Sequence, residues 1–177
     1  MDALKEEKVC TIDDIYALPD DERAELIDGK IYYMAPPGRA HQKISGNLYT
    51  EIHNYIKNNN GECEVYVAPF AVFLNQDGIN YVEPDISVVC DLSKLDEKGC
   101  HGAPDWIIEI VSPGNMPMDY FTKLFKYRAA GVKEYWIVDA AKNQVLVYRF
   151  KKETMEQYSF GEDIAVGIYD DFFIKVQ

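Results

Sequence analysis

Apolar and polar positions along this chain recur with two periods, and the changes between them mark out its elements. From His41 to about Asn58 the apolar residues Ile44, Leu48, Ile52, Tyr55 and Ile56 return every three or four positions. That spacing predicts an amphipathic helix, stopped by Asn58-Asn59-Asn60-Gly61. Trp106-Ile107-Ile108-Glu109-Ile110-Val111 is nearly all apolar, the mark of a strand buried on both faces. Ser112-Pro113-Gly114 breaks it, Pro117 suits a helix start, and a helix is expected from Met118 to Ala130 with Gly131 at its end. Shorter runs predict strands at Glu25–Ile27, Lys30–Met34, Cys63–Val67, Phe70–Leu74, Pro84–Val89, Glu134–Val138 and Gln144–Phe150, and further ones at Met155–Phe160, Ile164–Val166 and Phe172–Val176. Asp28-Gly29 between two apolar runs signals a hairpin. Thr11 with Asp14 three positions on reads as a capping box, opening a short helix that ends at Pro19-Asp20. Asp91–Gly102 is polar and reads as a surface loop. The order, with strand, crossover helix and strand in the middle, predicts an α/β (α+β) fold: a mixed central sheet flanked by helices, with an additional N-terminal β-hairpin.

Length adds that the 177 residues form one domain, 1–177. No apolar run approaches the ~18–20 residues of a membrane helix. MDALKEEKVCTIDD has no apolar core of a secretory signal, so a cytoplasmic location is expected. The formal charge of −12 excludes a generic nucleic-acid binder, which attracts phosphate with an excess of bases. A local basic strip from Lys5, Lys8, Arg39, Lys43, Lys123, Lys126, Arg128 and Lys133 would be needed instead. The four cysteines (Cys10, Cys63, Cys90, Cys100) form no C-x-x-C pair, and only Cys100-His101 joins cysteine to histidine. This argues against structural zinc and for free thiols.

Candidate chemistry rests on acids in apolar strands. Glu109 lies inside WIIEIV, and an ionised carboxylate there is costly unless a cation or hydrogen bonds hold it. Asp85, in EPDISVV, raises the same question. Adjacent strands can bring the two together, and paired carboxylates at one end of a sheet suit Mg²⁺ or Mn²⁺. Asp119, Lys123 and Tyr127 share a helix face, with Lys126 beside it, so an ammonium could lie over the strand end. Each of these acids and the Asp-x-x-x-Lys pair also has an ordinary structural reading. No phosphate-binding P-loop, dinucleotide loop or nucleophile elbow is present. Tyr135-Trp136 reads as core strand rather than as a base-stacking platform.

ELIDGKIYYM-x-PP with a following His, EPDISVV, PDWIIEIVSP, and D-x-x-x-K-x-x-x-Y-x-x-x-GVKEYWIVD together resemble the Uma2 (DUF820) family of the PD-(D/E)xK restriction-endonuclease-like superfamily. The resemblance runs from about Thr11 to Phe150. It implies a restriction-endonuclease-like fold and a metal-dependent endonuclease that hydrolyses DNA phosphodiester bonds, with Mg²⁺ or Mn²⁺ as cofactor and a homodimer as assembly. By position, Asp85, Glu109 and the carbonyl of Ile110 would hold metal, and Glu25 would lie near it. Lys123 would be the catalytic lysine, with Lys126 the fallback and otherwise a substrate contact. His41 and Gln42 would contact substrate, metal or water. The superfamily's strand lysine would stand at Val111, so the resemblance implies that the lysine has moved to the following helix. SPGN and VDAAK depart from the family's usual loops, which touches substrate contacts more than metal binding. The alternatives are a non-cleaving nucleic-acid- or protein-binding module on the same fold, and a metal-dependent hydrolase of a smaller phosphate ester. Loss of an acid or of the lysine would mark the binding module, and neither is seen.

Overall fold

The computed structural model describes residues 8–75, 77–112 and 118–177, without the side chain of Asp119. Pro117, Lys5 and the side chain of Asp119, each given a place above, lie outside the described residues. In chain order the elements are α1 (Ile12–Tyr16), β1 (Ala24–Ile27), β2 (Lys30–Tyr33), α2 (Arg39–Asn58), β3 (Glu64–Val67), β4 (Val72–Phe73), β5 (Ile86–Val89), β6 (Leu95–Asp96), β7 (Gly99–His101) and β8 (Trp106–Ile110). A wide π-helical segment, Met118–Lys123, runs into α3 (Leu124–Ala130). Then come β9 (Glu134–Asp139), β10 (Gln144–Arg149), β11 (Thr154–Ser159), β12 (Ile164–Ala165) and β13 (Phe173–Ile174).

A six-stranded mixed sheet in the order β11-β10-β9-β8-β5-β3 forms the centre. All its pairs are antiparallel except β8 with β9, which are parallel and joined by the helical crossover. This is the predicted mixed central sheet flanked by helices. Pleat decides which side chains meet which helix. Ile86, Val88, Trp106, Ile108 and Ile110 point to the face covered by the α2 stripe of Ile44, Leu48, Ile52 and Ile56. Ile107, Tyr135 and Ile137 point to the other face, against Tyr127 of α3. Tyr135 and Trp136 are fully buried, as a core strand requires.

The N-terminal hairpin turns at Asp28-Gly29, both at positive φ (50° and 72°), the tight turn that suits strand twist. Thr11 and Asp14 form the expected capping box.

Two expectations are corrected. The segment Asp91–Gly102 is not a plain surface loop. It folds into the β6–β7 hairpin, and β7 pairs in parallel with β4. Asp96 closes the turn by accepting from the backbone N–H groups of Lys98 and Gly99. Gly99 has φ of 141°, and a Cβ there would stand 2.2 Å from the Ala71 carbonyl oxygen. The cysteines are not all free thiols either. Cys63 and Cys90 form a disulfide. The β3–β5 register, with Glu64 opposite Val89, sets them facing each other one residue beyond the ladder. Cys10 and Cys100 are free. Among the described residues no helix is long and apolar enough to cross a membrane.

Candidate active site

Register builds the site's centre. Ile86 of β5 faces Ile108 of β8, so the next pair along is Asp85 and Glu109. Both lie on the sheet face that carries α3, at the end of their strands. The Ile110 backbone N–H donates to Asp85 Oδ2 at 2.7 Å, and the Asp85 N–H approaches Glu109 Oε2 at 3.5 Å. Each strand thus holds the other's carboxylate.

The crossover helix supplies the cation. Lys123, at the end of the π-helical segment, places Nζ 2.9 Å from Glu109 Oε1 and 2.9 Å from Glu25 Oε2. One turn later Tyr127 donates its hydroxyl to the same Glu109 Oε1 at 2.6 Å. π-helical turns inside helices recur at functional sites, because the wider turn re-aims side chains. Lys123, Glu25 and Glu109 are each about one-twentieth exposed at the side chain. A charge this buried is tolerated only with opposite charge and hydrogen bonds around it.

Glu25 arrives from outside the central sheet. Leu26 and Tyr81 exchange both backbone hydrogen bonds, at 2.7 and 2.8 Å, which fastens β1 beside the 81–83 segment. Glu25 Oε1 then accepts from the Glu83 N–H at 3.0 Å. The Glu83 carboxylate turns away, to Arg23 at 2.5 Å and to the Tyr81 hydroxyl at 2.6 Å. Burial first, and the Glu83 carboxylate second, hold that hydroxyl well above its ordinary pKa, so it stays a donor.

His41, in the first turn of α2, sets Nε2 3.0 Å from Asp85 Oδ2. Gln42 is exposed beside it. His41, Gln42, Asp85, Glu109, Ile110 and Lys123 all line one cleft of about 370 Å³. Glu25 stands behind Lys123 and does not line it. Lys126 is not brought to the cleft: it pairs with Asp28 at the hairpin turn. The basic strip does not assemble as expected. Lys8 pairs with Asp14 (2.8 Å), Arg128 with Glu153 (3.3 Å) and Lys133 with Asp105 (2.5 Å), and Lys123 is buried. Only Arg39 and Lys43 of that set stand exposed near the start of α2 without an ion pair among the described residues. Sequence reasoning placed Tyr127 on the right helix face but gave it no part in the site. Its signal was the four-residue step from Lys123.

Asp85 and Glu109 in the cleft, with Glu25 behind, set three carboxylates around the one Lys123 ammonium. Among the described residues no group of three or more His, Cys, Asp or Glu is arranged to hold a metal ion. A divalent ion would therefore take Asp85 and Glu109 and complete its shell with main-chain, water or phosphate oxygens. That composition fits Mg²⁺, which keeps several waters and uses one or two carboxylates.

The family model for Uma2, described as "Putative restriction endonuclease", matches residues 12–170. The chain belongs to the Uma2 family. An uncharacterized protein of Synechocystis sp. is 27% identical over 128 residues, 72% of this chain and 66% of that protein's length. A crystal structure from Anabaena variabilis, titled as a putative nuclease belonging to DUF820, superposes with a TM-score of 0.73 at 23% identity. It covers 93% of this chain and 94% of that one, so the two share a fold. Within this Uma2 chain Val111, two positions after Glu109, is half-buried against the α3-side core, and the buried cation beside Glu109 comes from the crossover helix.

Proposed function

We propose that this Uma2 chain is a divalent-metal-dependent endonuclease that hydrolyses phosphodiester bonds in DNA. The observation that carries the reading is the convergence on Glu109: a carboxylate opposite Asp85 on the neighbouring strand, with the Lys123 ammonium on its Oε1, at the floor of an open cleft. Asp85, Glu109 and the Ile110 carbonyl would hold Mg²⁺ or Mn²⁺. A bound ion of this kind lowers the pKa of its water and neutralises charge on the scissile phosphate.

The chain's own residues do the rest. Lys123 places positive charge where the phosphoryl group gains negative charge in the transition state. Glu25 and Tyr127 fix Lys123 and Glu109 in position. His41 orients Asp85 from the α2 side, and Gln42 offers an amide at the mouth of the cleft to a phosphate oxygen. In hydrolysis the attacking water's oxygen bonds to phosphorus and gives up one proton, the bond to the leaving sugar oxygen breaks, and that oxygen takes up a proton.

The test is cleavage of plasmid and oligonucleotide DNA with Mg²⁺ or Mn²⁺, with EDTA as control, comparing wild type with Glu109→Gln and Asp85→Asn. Cutting that needs metal and disappears in both variants is expected. Titration calorimetry of Mn²⁺ into the same proteins reads metal binding directly, and weaker binding in both variants is expected. A wild type that binds Mn²⁺ and cuts no nucleic acid would overturn the reading in favour of the non-cleaving module.

A further inference from the structure

The cleft continues past the carboxylates. Tyr49 of α2 lines it, and also lines a neighbouring hollow of about 240 Å³ with His53, Lys57 and Tyr66. Tyr66 in turn lines a third hollow, of about 330 Å³, with Phe70 and Lys98. The three hollows thus follow one another along α2 and the edge strand β3, each neighbouring pair sharing a ring, Tyr49 or Tyr66.

Its rings are paired flat. Tyr49 and His53 stack with centroids 5.6 Å apart and planes 20° apart. Tyr66 and Phe70 stack at 4.0 Å and 4°. None of the four is buried. Each outlying hollow carries one exposed lysine, Lys57 or Lys98, and neither forms an ion pair among the described residues. Three acids also line the outlying hollows: Glu97 is exposed beside Lys98, and Glu64 is engaged by the Tyr66 hydroxyl. Asp96 is engaged by His101 and by backbone N–H groups. The disulfide ties the residue before β3 to the one after β5, so the Tyr66 platform is held before any ligand arrives.

A duplex keeps its bases stacked inside and presents phosphate, for which this acidic surface has few unpaired cations. Flat rings that are exposed (His53) or half-exposed (Tyr49, Tyr66, Phe70), with a lysine in each outlying hollow, match unpaired bases, whose faces stack on aromatics while lysines take the phosphates. We propose that the track from Tyr49–His53 to Tyr66–Phe70 binds single-stranded nucleic acid and leads an unpaired strand into the Asp85–Glu109 cleft. The placement of that cleft at the end of the path rests on the nuclease reading above.

The test is fluorescence anisotropy in EDTA with labelled short oligo(dT), oligo(rU) and a duplex of equal length. Wild type is compared with His53→Ala, Tyr66→Leu and Lys57→Gln. Wild type should bind a single strand more tightly than duplex, and the arm bound better tells DNA from RNA. His53→Ala and Tyr66→Leu should each weaken single-strand binding about ten-fold. His53 is exposed on α2, so its variant should melt as wild type does and serves as the folding control. Duplex bound as tightly as single strand, or ring variants that bind as wild type does, would overturn the proposal. The same oligonucleotides with Mn²⁺ separate the two readings. Cutting of duplex unaffected by the ring variants would leave the nuclease and remove the track. Ring-dependent binding without any cutting would leave the track and remove the nuclease.

Discussion

At the scale of single residues, the buried triad of Glu25, Lys123 and Glu109 is the most exacting feature. Removing the ammonium leaves two carboxylates in a space that water barely reaches. Lys123→Met should therefore destabilise the fold by about 3–5 kcal/mol, the cost of leaving a buried charge without its partner. Urea denaturation measures it, and adding Glu25→Gln should recover part of the loss. Tyr127→Phe deletes one hydroxyl, fully buried, from Glu109 Oε1. The expected cost is about 1.5–3 kcal/mol, because the acceptor is charged. If Tyr127 also positions Glu109, that variant should raise the Mn²⁺ dissociation constant measured by calorimetry, a change that lost packing alone does not produce. Lys126→Ala, whose partner Asp28 sits at an exposed turn, should leave both stability and metal binding within error.

At the scale of elements, what the sequence discloses depends on how local the signal is. The α2 stripe and the apolar β8 run are periodic within one segment, so their elements could be placed to within a residue or two. Asp85 and Glu109 were legible for the same reason, as acids in apolar runs. The disulfide was not. Cys63 and Cys90 are 27 residues apart, and only the β3–β5 register shows that they face each other. The β6–β7 hairpin was missed because strands of two and three residues offer no alternation to read. Its folding instead hangs on Gly99, and Gly99→Ala should cost well over about 1 kcal/mol through the positive φ and the Ala71 contact. That Lys123 and not Lys126 reaches Glu109 depends on the helix's rotation, which a π-helical turn shifts. The disulfide closes a loop whose entropy alone is worth about 3–4 kcal/mol. Cys63→Ser should lower the urea midpoint by a corresponding amount, and adding reductant to that variant should change nothing further.

At the scale of the whole molecule, charge and pH set the terms. With a net charge of −12, long-range attraction to phosphate is absent, and binding along the track should depend weakly on salt. A log–log slope no steeper than about −2 is expected if the lysines of the two outlying hollows and one cation near the cleft carry the phosphate contacts. Acid acts through Asp139 at the end of β9. Burial pushes its carboxyl up, but hydrogen bonds from Tyr120 and Lys142 outweigh this and hold it below the ordinary value of 3.8. A depressed carboxyl stabilises the fold fully above that value and loses its contribution as pH falls through the folded value. Asp139→Asn should flatten the stability profile in that acid window. Tyr120 belongs to the π-helical segment, so Asp139 also anchors the piece of chain that ends in Lys123. The supply of the cation by this crossover has a consequence for the order of assembly. Asp85 and Glu109 lie 24 residues apart along the chain, and Glu109 and Lys123 only 14. The ammonium therefore closes the shorter loop onto Glu109, and the second carboxylate arrives through the longer one. The acid set in the most apolar strand can meet its cation before the sheet is complete.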